Sequence, residues 1–197
     1  MTITIKRPYP RTIACTGGDV EVRFLKPGGE AALLAFAQRL TAHDLLFLRR
    51  DISQPKVVTA WMQATAADRI VTLLAFRGDA VVACATVVVD DLSWSRHVGE
   101  LRVIVEASMR GQGLGQKLTQ ECFAVALEMG LEKLTAQMTV DQAGAISVFE
   151  SLGFRPEALL RDQVKDRDGR KHDIVVLGHE VAKFAAQLHA YGVDQAF

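Results

Sequence analysis

A net charge is the first thing this 197-residue chain lacks, with 23 basic side chains balanced by 23 acidic ones. Without a global field, neither nucleic acid nor an anionic membrane can be held by bulk electrostatics, and any partner must be recognised locally. Cysteine is scarce as well. Cys15, Cys84 and Cys122 are scattered and odd in number, so they make no disulfide framework, and no Cys/His spacing suits a metal. Cys84 and Cys122 lie inside apolar patterns and read as inert buried thiols. Long apolar runs are missing too. The longest, Ile70 to Val89, is broken by Arg77, Gly78 and Asp79, too short a run to cross a bilayer. The opening MTITIKRPYP has no sustained apolar core of the kind a secretory leader needs. The expectation is a soluble, cytoplasmic protein of one domain spanning residues 1–197, with a core at about 20–179.

What is present is a sequence of alternating elements. Val20 to Leu25 reads as a strand, stopped by Lys26-Pro27-Gly28-Gly29. A helical stripe follows at Leu33, Leu34, Ala37 and Leu40. A second helix is expected near Ser53-Gln54-Pro55, with Ser53 as cap and Pro55 in the first turn, carrying Val57, Val58, Trp61 and Met62. Ile70 to Phe76 and Ala80 to Val89 flank Arg77-Gly78-Asp79 as a hairpin. His97 to Val105 is a further strand. Beyond it, Leu118, Cys122, Val125, Ala126 and Met129 recur at helical spacing until Gly130. Lys133 to Val140 is a strand, and Ala145, Val148, Phe149 and Leu152 mark a short helix closed by Gly153. Two last strands meet through Asp166-Arg167-Asp168-Gly169. The tail, 180–197, looks helical, with Val181, Phe184 and Leu188 in line; it either packs on the domain or makes a homodimer. The order predicts an α+β, or mixed α/β, sheet with one helix-containing crossover.

Between the strand ending at Val105 and the helix beginning at Leu114 stands MRGQGLGQKL. It is not a dinucleotide fingerprint, because after Gly111 and Gly113 the third glycine, Gly115, comes one residue early. It is not a nucleoside-triphosphate loop either, since Lys117 follows Gln116 and Leu118 stands where magnesium needs Ser or Thr. Glycines at a helix N-terminus still expose backbone N–H groups to an anion, and Arg110 adds a positive charge.

Arg110-Gly111-Gln112-Gly113-Leu114-Gly115 resembles the R/Q-x-x-G-x-G/A signature of the GNAT superfamily of acyl-CoA N-acyltransferases. Gln142 to Phe154 is similar to that family's N-x-x-A-x-x-x-Y-x-x-x-G-F segment, and the two motifs together are far more specific than either alone. The resemblance covers about Ile70 to Gly178. It implies the GNAT fold, a mostly antiparallel sheet of about seven strands flanked by helices, and acetyl-CoA as co-substrate with no metal. By the same resemblance, Gly111, Gln112, Gly113, Leu114, Gly115 and Gln116, with Arg110, hold the pyrophosphate. Val103, Ile104 and Val105 pair with the pantetheine arm through main chain, next to Gln142, which replaces the usual Asn.

An amine acceptor, whether a protein lysine or a small molecule, must lose a proton before it attacks a thioester. Glu100 is the candidate base, because its strand is similar to that of Pat-type protein-lysine acetyltransferases; a structural salt bridge with Arg102 or Arg96 is the competing role. The family's alternative position for the base falls on Gln137, which cannot titrate. Its usual tyrosine acid maps onto Phe149, which has no proton to give and packs against the cofactor at most. That departure keeps a second function open, an acyl-CoA-binding module without turnover. His43-Asp44, His97 and His172-Asp173 read first as surface or structural residues. The basic cluster from Arg161 to Lys171 reads as a solvated hairpin face, and neither nucleic acid nor membrane is expected as a partner. Asp44 and Asp51 either attract a cationic amine or are surface.

Overall fold

Two periodicities build the framework: apolar residues alternate or run on in the strands, and recur every three to four positions in the helices. The structure is a computed structural model that describes residues 5–48 and 50–181. It begins with strands β1 (Arg11–Ile13) and β2 (Val20–Phe24) and helices α1 (Glu30–Arg39) and α2 (Pro55–Ala66). Strands β3 (Ile70–Arg77), β4 (Ala80–Val88) and β5 (Val98–Val105) follow, then helix α3 (Leu114–Glu128), strand β6 (Lys133–Thr139) and helix α4 (Ala143–Ser151). Strands β7 (Arg155–Lys165) and β8 (Lys171–Glu180) complete the order. All lie in one sheet, β1-β2-β3-β4-β5-β6-β8-β7. Among the described strands, only β5 and β6 run parallel, joined through α3 as a parallel pair requires.

The mixed, mostly antiparallel sheet agrees with expectation, but it has eight strands where about seven were expected. The addition is β1, whose three residues are too few for alternation to register. Two other details differ. Gln54, not Ser53, caps α2; the Ser53 hydroxyl donates to Asp51 Oδ1 at 2.6 Å, and no described side chain accepts from the helix's first N–H groups. In α4, Ala145 is exposed, and Ile146 and Phe149 turn inward. The expected C-terminal helix lies outside the described residues after Val181, and Glu180 closes β8.

The sheet has a core on each face. Leu118, Cys122 and Val125 of α3 and Phe149 of α4 pack with Leu101 and Leu134 on one side. Phe36 of α1 and Trp61 of α2 pack with Leu74, Cys84 and Ile104 on the other. Residues of β5 therefore alternate, Leu101 toward α3 and Ile104 toward α2, so even-numbered side chains reach the α1–α2 face. Fully buried rings such as Phe36 and Phe154 each stabilise the fold by about 2 kcal/mol. Burial pushes the Cys84 thiol up to about 12 and raises Cys122 as well, which makes both unreactive.

The N-terminal segment is held by one buried carboxylate. Glu121 of α3 accepts from the Tyr9 hydroxyl at 2.7 Å and pairs with Arg7 at 3.0 Å. Burial first, and then Glu121, raise the Tyr9 phenol above its ordinary value, so it stays a donor. Glu121→Ala leaves Arg7 unpaired and is expected to cost about 3 kcal/mol, read from the urea midpoint. A second test uses His179, packed against Phe123 and Phe154 with ring centroids at 4.9 and 5.2 Å. Desolvation holds its imidazole below the ordinary 6.5. Because the folded state disfavours protonation, this contribution is complete above pH 6.5 and is lost as pH falls through the depressed folded value. Melting temperature should therefore drop as pH falls from 6.5 toward that depressed value and level off below it, and His179→Leu should flatten the dependence in that window. The lowered carboxyls of Asp51, Asp141 and Asp166 act only below their ordinary 3.8.

Candidate functional site

The site begins where two strands part. β5 and β6 pair from Val98↔Lys133 to Leu101↔Ala136 and no further, although β5 continues to Val105 and β6 to Thr139. Beyond that point β5 stays bound to β4 through Ala83↔Val105, and β6 to β8 through Thr139↔Ile174. Each strand keeps its outer partner, so a slot opens between Arg102–Val105 and the end of β6. Backbone groups facing it have no sheet partner, which suits an extended ligand carrying amide groups.

The slot leads to the glycine turn. A short 3₁₀ turn, Ala107–Met109, ends on Arg110, and Gly111 and Gly113 take φ of 72° and 80°. A Cβ at either would meet nothing within 4 Å, so their surface is open. From Gly111 to Gln116 the backbone N–H groups donate to no described backbone acceptor. They stand at the positive end of the fifteen-residue α3. This donor set suits a diphosphate. The turn is braced from β1–β2, where Thr16 N–H donates to Gln112 O at 3.3 Å and Lys117 Nζ to Ala14 O at 2.8 Å. The Gln112 side chain donates to Ser108 O at 2.9 Å.

Arg110 is engaged across the slot. Its guanidinium donates to Asp44 Oδ1 at 2.6 Å and to Val105 O at 3.2 Å. Asp44 belongs to the 3₁₀ turn His43–Leu45 between α1 and α2 and is held by the Thr41 hydroxyl at 2.8 Å. The adjacent His43 reaches the other side, with Nε2 3.0 Å from Asp141 Oδ2, just past β6. One turn thus ties both parted strands. The Asp141 carboxyl lies below its ordinary range, lowered by the Thr139 hydroxyl beside it and then by His43 and His172. His172 stacks edge-on against His43 at 5.6 Å and meets Asp166 at 2.8 Å. No group of described residues is arranged to hold a metal ion.

On the α2 side lies a cleft of about 700 Å³ containing Glu100, Arg102 and Thr135. Both Glu100 oxygens accept from Arg102, at 2.9 and 3.0 Å, and both side chains are mostly buried. The salt bridge named as the competing role is therefore present, within this cleft. Gln142 caps α4 beside the slot's end without a side-chain bond to the helix. Phe149 is buried, its ring 5.0 Å from Phe154. Among cleft residues, alternation alone makes Arg102 legible as Glu100's partner, two positions along one strand. Arg50, Arg69, Trp61 and Asp90 carry no motif and were not anticipated in this cleft.

A parted parallel pair leading to an open glycine turn at a helix N-terminus is an architecture that can seat an extended ligand ending in a diphosphate. Residues 38–154 match the acetyltransferase (GNAT) family, and the chain belongs to that family. The match begins upstream of Ile70, where the motif resemblance started. A Bacillus subtilis relative, provisionally named phosphinothricin acetyltransferase YwnH, is 28% identical over 83 residues, 42% of this chain and 50% of its own. The chain thus spans about half the length of that relative. Among solved structures, a GNAT-family acetyltransferase from Streptococcus pneumoniae superposes with a TM-score of 0.71 at 22% identity, covering 82% of this chain and 99% of the other. The Salmonella typhimurium protein yncA, solved with acetyl-CoA, gives 0.68 at 21% identity over 82% and 94%. The GNAT domain of S. lividans PAT gives 0.68 at 19% over 88% and 99%. These identities establish a shared fold.

The turn makes a prediction of opposite signs. Gly113→Ala forces a side chain into the left-handed region and is expected to destabilise by about 1 kcal/mol. Gly115→Ala puts a Cβ 3.6 Å from Val105 Cγ2, an ordinary contact within a helix, and should stabilise by up to about 1 kcal/mol. Urea midpoints of the two variants decide it.

Proposed function

We propose that the protein transfers the acetyl group of acetyl-CoA to a primary amine by direct attack in a ternary complex. The slot between β5 and β6, leading to the glycine turn, is the observation that carries this reading. Val103, Ile104 and Val105 offer main-chain groups to pantetheine, and Gly111 to Gln116 offer N–H groups to pyrophosphate. Gln142 stands by the arm, Phe149 packs on the cofactor side, and Arg110 holds the turn's edge by its bonds to Asp44 and Val105. The co-substrate supplies an activated acyl carbonyl.

Glu100 receives the proton that a primary amine of pKa ~10 must lose, directly or through a water. The two bonds from Arg102 fix the position of its carboxylate in the cleft. As the N–C bond forms, the C–S bond breaks, and the CoA sulfur ends as a thiol. Phe149 donates nothing, so that last proton arrives by way of solvent. The protein works in this reading as one domain in the cytoplasm, where acetyl-CoA is available.

A second reading, an acyl-CoA-binding module without turnover, is favoured by two features together. Phe149 has no hydroxyl, and Arg102 engages both Glu100 oxygens. Thiol release from acetyl-CoA across a panel of amines separates the two. Glu100→Gln is expected to lower kcat about 100-fold with little change in the KM for acetyl-CoA. An unchanged kcat removes Glu100 from the chemistry. Tight CoA binding with no release from any amine favours the module.

A further inference from the structure

We infer that the turn joining β1 to β2, residues 14–19, is a clamp that fixes the geometry of the diphosphate seat, and that it acts through Gln112. This rests on the acyl-CoA reading of the glycine turn and assigns that seat its positioning residues. The clamp lies outside residues 38–154, the part of the chain that matches the family.

The glycines create the need for it. Gly111 and Gly113 stand at φ of 72° and 80° on either side of Gln112. Glycine gives the backbone its widest choice of conformations, so a segment flanked by two of them spreads its N–H groups over many directions. A ligand that has to order those groups first loses affinity, whereas a turn already set does not impose that cost. Gln112 is the residue between the two glycines, and it has a side chain to hold.

The contacts converge on it. Thr16 N–H donates to Gln112 O at 3.3 Å. A trans peptide points its C=O and the following N–H in opposite directions, so holding that carbonyl turns Gly113 N–H away from Thr16. The side-chain amide is engaged at both ends. Nε2 donates to Ser108 O at 2.9 Å, and Oε1 accepts from Arg77 Nη2 at 3.4 Å. The same Arg77 nitrogen donates to Gly18 O at 3.2 Å, which ties the β1–β2 turn to Gln112 from the end of β3.

The approach is close enough to require glycine at position 17. The turn closes on itself through Gly18 N–H to Cys15 O at 3.0 Å. A Cβ at Gly17 would fall on Gln112 Oε1 and lie 2.7 Å from its Cδ. A free amide would swing aside, but this one has to leave Ser108 and Arg77 to do so. Lys117, in the first turn of α3, donates from Nζ to Ala14 O at 2.8 Å. The clamp therefore holds both the glycine turn and the helix whose N-terminus faces the ligand.

The test compares CoA with pantetheine, which shares its amide-bearing arm but has no diphosphate, by amide chemical-shift titration of the isotope-labelled protein. Gly17→Ala and Gln112→Ala should each weaken CoA about tenfold and leave pantetheine within about twofold. The double variant should also lose only about tenfold, because Gln112→Ala leaves Gly17→Ala nothing to displace. In the unliganded protein both single substitutions should broaden the Gly113 amide resonance, the signature of a turn released from one conformation. Unchanged CoA affinity, an unchanged Gly113 resonance, equal losses on CoA and pantetheine, or losses that multiply in the double variant each overturn the clamp and leave the acyl-CoA reading standing. A wild-type protein that binds CoA no more tightly than pantetheine removes the diphosphate seat and the clamp with it.

Discussion

Everything at the site depends on β5 and β6 ceasing to pair after Leu101 and Ala136. A sheet normally closes every backbone donor and acceptor between neighbours, and leaving several open inside a protein is costly unless something else meets them. Here the strands are kept apart without losing their outer partners, β4 and β8, so the opening is part of the fold. The glycine turn, the N-terminus of α3 and the cap of α4 all follow directly from the ends of those two strands. The 3₁₀ turn His43–Leu45 then bridges them, Asp44 to Arg110 and His43 to Asp141.

The second organising feature is the disposition of charge. A chain with no net charge has to create fields locally, and this one does so by pairing most of its acids near the site. Asp44, Asp51 and Glu100 each hold an arginine. What these pairs leave over on the α2 side is positive. The glycine turn differs, because the positive potential there comes from backbone N–H groups and the α3 dipole more than from side chains.

Much of this was legible in the sequence, for physical reasons. Unbroken apolar runs in β3 and β4, either side of Arg77-Gly78-Asp79, and 3.6-residue periodicity in α3 make those elements stand out. Gly111 and Gly113 announce a turn because both adopt φ values that other residues resist. β1 was not legible, since three residues carry no period and its place depends on pairing with Val20–Val22. Nor was the fate of Ser53, whose hydroxyl donates to Asp51 while Gln54 takes the cap position of α2. The ion pairs Asp44–Arg110 and Asp51–Arg167 join residues far apart in the chain, and only the fold reveals them. Arg50 and Arg69 lie in connecting segments, where no periodic signal reaches.

The central claim is that the parted strands and the glycine turn together form one acyl-CoA seat. Backbone amide hydrogen exchange, followed residue by residue with and without CoA, tests this most directly. The account predicts CoA-dependent protection at Val103 to Val105 and from Gly111 to Gln116, with little change in β2 or β7. Protection confined to other segments, or none at saturating CoA, would contradict it.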